Sequence, residues 1–265
     1  FNTENLSWLG LARSVFFGAN SPEAIDGGAF TFVFWSIAVE WHFYLLFPFL
    51  ILLVKKFDWY ALTLLIFLLL SIRYYMMLEG ANMLQVSYWS IMGRLDQFLI
   101  GMLAGLFYLR YFDESKKFDV LALLGLLLVV TALYVFNQLG GNGSNYGKWA
   151  MWPTIEASCW AIFVIGYLSF SRCFPAWLGK LLVALGTVSY SVYLVHYVVL
   201  DYLMGRDWAV WLHISDPFGT ALLNTTFIIM PLVVLISTAT YWIIERPFLV
   251  RRRTYMAQAH ADAQA

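Results

Sequence analysis

The residues of this chain that can move protons or hold anions are few, and they interrupt long apolar runs. Glu40 and His42 stand inside the run from Phe30 to Val54, which exceeds the roughly 20 apolar residues needed to cross a bilayer. A carboxylate at that depth costs roughly 2.5–3.5 kcal/mol on insertion scales, so a chain keeps one there for an internal partner, a polar cavity or chemistry. Glu40 lies four residues after Ser36 and four before Tyr44. On a helix this makes one polar stripe, Ser36–Glu40–Tyr44. His42 points about 200° away from Glu40 on the same helix, so the two make a poor dyad. Glu40 is therefore the catalytic candidate, with a plain ion pair to a neighbouring helix as its alternative, and His42 reads as a hydrogen-bonded interior histidine.

Two further groups carry charge into apolar segments. Arg73 falls near the end of the second run, and Arg94-Leu95-Asp96-Gln97 opens the third. The fork of an arginine matches phosphate or carboxylate, so Arg94 at the mouth of a cavity reads as an anion clamp. Asp96 near a helix N-terminus suits the macrodipole. Gly101 and Gly105 then form a GxxxG spacing that permits close helix packing. In Ser189-Tyr190-Ser191-Val192-Tyr193-Leu194-Val195-His196, the imidazole of His196 can serve as a base, a proton relay or a structural donor. Glu245, before Arg246 and Pro247, reads as a cap on the last helix. The spacings contain no Ser-His-Asp arrangement, no phosphate-cradling glycine loop and no cluster of metal-ligand type, so no metal is expected.

The elements that must position these groups are helices. The 265 residues are 62% hydrophobic and 12% charged, with a mean hydropathy of +0.72; soluble domains run to about 45–50% apolar and 25% charged. The predicted class is all-α, a polytopic transmembrane bundle. Seven apolar runs, roughly 30–54, 58–78, 94–110, 119–136, 153–170, 183–204 and 219–244, supply about seven spans. Residues 1–29 read as an extracytoplasmic loop or interfacial segment, 30–250 as the transmembrane domain and 251–265 as a basic, disordered cytoplasmic tail. Within the domain, 82–93 reads as an interfacial or re-entrant piece, and 137–149 as a flexible polar loop. Cys159 and Cys173 would lie about 20 Å apart along a helix, too far for a disulfide. The net charge of +0 offers no nucleic-acid footprint. Phe1 is not an initiator methionine and residues 1–29 lack the pattern of a signal peptide, so a segment of a longer chain is expected.

Basic residues set the orientation. With residue 1 outside, the inner loops hold 11 of the 16 Lys+Arg, including Lys55, Lys56, Arg110 and the Arg251–Arg253 cluster. The C-terminus is then cytoplasmic. Glu40, Arg73, Arg94, Asp96, Glu156 and Asp201 fall in the outer half, which predicts a polar cavity opening outward. An enzyme, a proton-coupled membrane transporter and a non-catalytic membrane subunit all fit such a cavity.

Three stretches narrow the choice. Trp35-Ser36-Ile37-Ala38-Val39-Glu40-Trp41-His42-Phe43-Tyr44-Leu45-Leu46-Phe47-Pro48 resembles the WSLSVEEQFYLLWP signature of the membrane-bound acyltransferase-3 family. The helix beginning Arg94-Leu95-Asp96 with Gly101 and Gly105 is similar to that family's arginine-led, glycine-spaced helix. Ser189 to His196, followed by Glu245-Arg246-Pro247-Phe248, resembles its closing motifs. The resemblance covers residues 30–250 and matches the last seven of the family's ten helices. It implies an integral-membrane O-acyltransferase of the bacterial inner (plasma) membrane. Acyl-CoA would be the cytoplasmic donor, and a hydroxyl of a cell-envelope saccharide, a glycan or a glycolipid, the acceptor. Membrane lipids are the other expected partner, with O-acetylation of polysaccharide the typical outcome. It places the family's histidine base on helices preceding this stretch, and His42 where the family commonly has glutamine. Under this reading Glu40 and His196 are the catalytic candidates. Trp35, Ser36, Tyr44, Arg73, Arg94, Asp96 and Tyr193 bind substrate, and Arg94 also holds the acyl-CoA.

Overall fold

Inside a bilayer every backbone N–H and C=O must be satisfied within the chain, and the apolar runs answer this as helices. The computed structural model describes residues 31–111, 119–141, 146–171, 174–204 and 212–251. The segment 1–29, Cys173 and the tail beyond Arg251 lie outside the described residues. Seven helices follow in order. They are α1 (Thr31–Phe57), α2 (Trp59–Leu78), α3 (Ile91–Tyr111), α4 (Asp119–Gln138), α5 (Trp152–Phe170), α6 (Ala176–Met204) and α7 (Pro217–Arg251). No strand occurs among the described residues, so the protein is an all-α polytopic bundle. Six of the helices are long and apolar enough to cross a membrane. The exception is α3. Its 21 residues reach about 31 Å, but Arg94, Asp96, Gln97 and Arg110 dilute its apolar character. Large apolar side chains elsewhere point outward, with Leu109 81% exposed, as expected where the surroundings are lipid.

The chain divides into two compact units, one containing 34–175 and the other 31–33 with 176–251 among the described residues. In the first, Phe43 and Leu50 of α1, Leu62 and Leu69 of α2 and Leu99 of α3 form a buried core. Phe43 stacks on Phe98 with centroids 4.1 Å apart. Among the described residues, α4 and α5 cross closely. A Cβ on Gly125 would lie 2.4 Å from the Cα of Phe163, and one on Gly166 would lie 2.0 Å from the backbone nitrogen of Ala122. Small residues there let the backbones approach without bulk between them. The GxxxG spacing of α3 is not such a contact: a Cβ on Gly101 or Gly105 meets nothing within 4 Å.

The connection 82–93 folds inward. It forms a π-turn at Gln85–Trp89, and Gly93 presses so closely on Val86 and Ser87 that a Cβ would meet backbone atoms at 2.2 Å. Met83 packs with Trp149 and Ala150 in a second buried cluster. The end of the 137–149 stretch is therefore a folded cap rather than a flexible loop; Tyr146–Ala150 is a 3₁₀ turn whose Trp149 ring meets Phe136 and Tyr88.

In the second unit, α6 and α7 pack through Val199, Leu203 and Val233. The helix α7 is interrupted by π-turns at Thr225–Ile229 and Tyr241–Glu245. The first lies just ahead of Pro231, which has no N–H to give the preceding turn. The second turns Glu245 toward α6, where Ser191 Oγ donates to Glu245 Oε2 at 2.9 Å. Glu245 is thus an interhelix acceptor and not a helix cap, and α7 continues to Arg251.

The turn between α1 and α2 rests on Asp58, whose φ of 56° and ψ of −152° fall in a region that is essentially glycine-only. Arg110 at the end of α3 donates to Asp58 Oδ1 at 2.8 Å and holds its carboxyl below the ordinary value. The pair's contribution to stability is present above the carboxyl's ordinary value and is lost as pH falls through the depressed one. Two predictions follow from these backbone constraints. Asp58→Ala keeps the strain and loses the pair, whereas Asp58→Gly loses the pair but relieves the strain, so thermal unfolding in detergent should place Asp58→Gly above Asp58→Ala. Gly166→Leu forces α4 and α5 apart and should lower the yield of monodisperse protein far more than Gly101→Leu.

Candidate functional site

The first unit carries a polar cluster at the ends of α2, α3 and α5. Arg73 and Asp96 are only 1% and 0% exposed. Arg73 Nη2 donates to Asp96 Oδ2 at 2.6 Å and to Thr154 Oγ1 at 2.6 Å, and Nη1 donates to the Gly93 carbonyl at 2.8 Å. Thr154 Oγ1 in turn donates to Asp96 Oδ2. Both charges are thus closed in on each other and on three helices. They bear on Arg94 and Gln97, their neighbours in sequence, by fixing the first turns of α3.

Arg94 stays half-exposed. Its Nε donates to the Tyr88 carbonyl at 3.2 Å and its Nη1 to Gln97 Oε1 at 3.0 Å. Gln97 Nε2 completes the chain by donating to the Pro153 carbonyl at 3.2 Å. The guanidinium lies over the Tyr88 ring at 4.4 Å and near the Trp35 ring at 5.6 Å. Trp35 itself packs against Tyr88 and Trp89 at 4.8 and 5.1 Å. Aromatic faces attract the cation, and the two hydrogen bonds fix its plane, which leaves Nη2 with no partner among the described residues.

A cavity of about 530 Å³ runs from Arg94 along the seam of α3 and α5. Gly101, Ala104 and Gly105 line it from α3, and Ala157 and Ala161 from α5. Arg94, Gln97 and Glu156 stand at one end and Tyr108 and Leu168 at the other. Glu156 makes no hydrogen bond or ion pair among the described residues. Arginine and carboxylate thus face one groove without closing on each other.

The remaining sequence candidates stand elsewhere. On α1, Trp35, Val39 and Phe43 form the inward face, and the Ser36–Glu40–Tyr44 stripe lies about 100° around the helix from it. Glu40 is exposed and Tyr44 is 59% exposed. Glu40 forms no ion pair among the described residues, so the alternative of a simple pair with a neighbouring basic helix has no counterpart there. His42 is half-buried on the same helix. His196 belongs to the second unit, where its Nδ1 bonds the Tyr193 carbonyl. A carbonyl can only accept, so Nδ1 carries the proton and the lone pair sits on Nε2. The Tyr193 hydroxyl donates to the Val33 carbonyl at 3.2 Å, which ties α6 to the first residues of α1. Reading the sequence missed Tyr88, Trp89 and Thr154. Tyr88 and Trp89 sit in a stretch too short to span, and Thr154 beside Pro153 has the look of an ordinary helix start. Their only signal was proximity to Arg94 and Glu156, in one connection and one helix start that no periodicity joins.

Breaking a buried ion pair strands a charge and costs about 3–5 kcal/mol, while replacing both partners with apolar groups of similar volume is close to neutral. Asp96→Ala should therefore unfold at much lower temperature or denaturant than wild type. The double variant Arg73→Met/Asp96→Leu should recover most of that loss, as read from thermal unfolding in detergent micelles.

The motif positions and the helix order can be set against known proteins. A family model described as an acyltransferase domain, that of acyltransferase-3, matches residues 2–245. Neither a curated protein nor a solved structure matches the chain. The family match runs over nearly the whole sequence and contains the Trp35–Pro48 stretch, the Arg94 helix and Ser189–His196, so the chain belongs to the acyltransferase-3 family of membrane acyltransferases.

Proposed function

We propose that the protein is an O-acyltransferase that moves an acyl group from acyl-CoA to a hydroxyl of a cell-envelope saccharide or glycolipid. The observation that carries this reading is the family match over residues 2–245. It agrees with a half-exposed arginine held by an aromatic cradle at the end of a groove. The reaction needs four changes. The acceptor oxygen bonds to the thioester carbonyl carbon, the C–S bond breaks, the hydroxyl proton passes to a base, and the departing thiolate takes a proton. Negative charge develops on the carbonyl oxygen and on the thiolate.

Arg94 is the group proposed to meet anionic charge, either a donor phosphate or the developing oxyanion, because Nη2 has no partner among the described residues and its plane is fixed. Arg73 and Asp96 are assigned as positioning residues, since their burial keeps them from substrate. Trp35 and Tyr44 are assigned as aromatic faces for a sugar, Ser36 as a polar group on the same helix, and Tyr193 as a further substrate contact. Glu40, exposed on α1, orients the acceptor or a partner group. His196 is the described histidine whose ring is prepared for proton transfer, with Nε2 carrying the lone pair. The excess of Lys and Arg in alternate connections supports a cytoplasmic C-terminus, and the bacterial inner membrane is assigned from what the family resemblance implies.

The test uses membranes bearing the protein, labelled acyl-CoA and a saccharide acceptor. Arg94→Ala is expected to lower kcat/KM by about 10²–10³-fold. Arg94→Lys should recover little of this, because an ammonium neither stacks nor forks. His196→Gln should lower transfer by about 10²–10⁴-fold, and Glu40→Gln should lower it in protein that still inserts. Unchanged transfer in His196→Gln assigns the base to another residue. Movement of the acceptor across the membrane with no change in its mass would overturn the acyltransferase reading in favour of a carrier.

A further inference from the structure

The groove between α3 and α5 extends far beyond the guanidinium that ends it. From Arg94 to Tyr108 it follows α3 for about 20 Å, somewhat more than one leaflet's share, about 15 Å, of the hydrocarbon core. Its floor is formed by missing side chains: a Cβ on Gly101 or Gly105 would meet nothing within 4 Å, and Ala104, Ala157 and Ala161 add little bulk. A trench of this length and narrowness fits one extended hydrocarbon chain. Lipid tails are as apolar as the groove, so burial alone gives no preference for any occupant. Selection must come from the polar end.

That end presents opposite charges. Arg94 keeps Nη2 free, and Glu156 has no hydrogen bond or ion pair among the described residues. The Trp35 and Tyr88 rings lie against the guanidinium and Trp89 packs on both, and tryptophan and tyrosine concentrate at the level of lipid headgroups. A cation and an anion at that level match a zwitterion, with phosphate on the guanidinium and ammonium on the carboxylate. A purely anionic headgroup would meet Glu156 as a like charge.

We propose that this groove binds one zwitterionic phospholipid of the phosphoethanolamine type. One acyl chain lies along Gly101 and Gly105, the phosphate rests at Arg94 and the ammonium at Glu156. The proposal shares Arg94 with the proposed acyl transfer, but occupancy is read without turnover, so the two fail separately. The experiment is native mass spectrometry of the protein released from nanodiscs of equal phosphatidylethanolamine and phosphatidylglycerol with identical chains. Wild type is expected to retain one phosphatidylethanolamine with about fivefold preference, the upper range for one partly exposed ion pair. Glu156→Gln should bring that preference close to one. Gly101→Leu and, from the opposite wall, Ala161→Leu should each lose the lipid while remaining monodisperse. Equal retention of both lipids by wild type, or unchanged occupancy in the two leucine variants, would overturn the proposal. Displacement of the retained lipid by an acyl-CoA thioester would also overturn it, by assigning the groove to the donor.

Discussion

A guanidinium and a carboxylate sealed together among apolar helices set the terms for the first unit. Neither Arg73 nor Asp96 could stay charged there alone, because the cost of leaving water is met only when the geometry is good and the remaining hydrogen-bonding sites are filled. The Gly93 carbonyl and the Thr154 hydroxyl take Nη1 and Nη2, and Arg73 Nε has no hydrogen-bond partner among the described residues. The pair joins α2 to α3, and Thr154 brings in α5. Gly93, by pressing against Val86 and Ser87, fixes the connection that carries Tyr88 and Trp89. A single electrostatic constraint thus reaches, within one or two residues, Tyr88, Gln97 and Pro153, which hold Arg94; only Trp35 comes to it from α1.

Two arginines at neighbouring positions in this network have different fates for a physical reason. Arg73 meets a carboxylate at hydrogen-bond distance and is closed off. Arg94, two residues before that carboxylate on the helix, points elsewhere and meets only neutral acceptors and ring faces. Neutral partners hold the position of a cation without cancelling its charge. Arg94 is therefore available to an anion in a way that Arg73 is not.

Much of this architecture could be read from the sequence. The seven apolar runs became seven helices with boundaries close to those expected, because a segment in lipid has few alternatives to a helix. The largest differences are at α6, which begins at Ala176 where the apolar run starts at 183, and at α7, which continues to Arg251 where the run ends at 244. The site was legible only in part. Trp35 and Arg94 were singled out and do meet. The pairing of Arg73 with Asp96 was not legible, since a separation of 23 residues across a turn has no periodic signature. The GxxxG spacing pointed to a helix contact, but α3 uses it to line a groove and the close crossing belongs to Gly125 and Gly166, whose partners lie on different helices. Glu245 looked like a cap because the sequence gives no sign of the π-turn that redirects it.

The limited apolarity of α3 bears on how the protein is made. A helix carrying Arg94, Asp96 and Gln97 has little tendency to leave the translocon for lipid by itself. Its charge partner, Arg73, is on α2, which emerges earlier in synthesis, whereas Thr154 is made 58 residues after Asp96. The α2–α3 hairpin is therefore the unit that partitions into the membrane, with its ion pair formed first and α5 docking onto it later. Substitutions at Asp96 act at that point in biogenesis, before any site exists to be impaired.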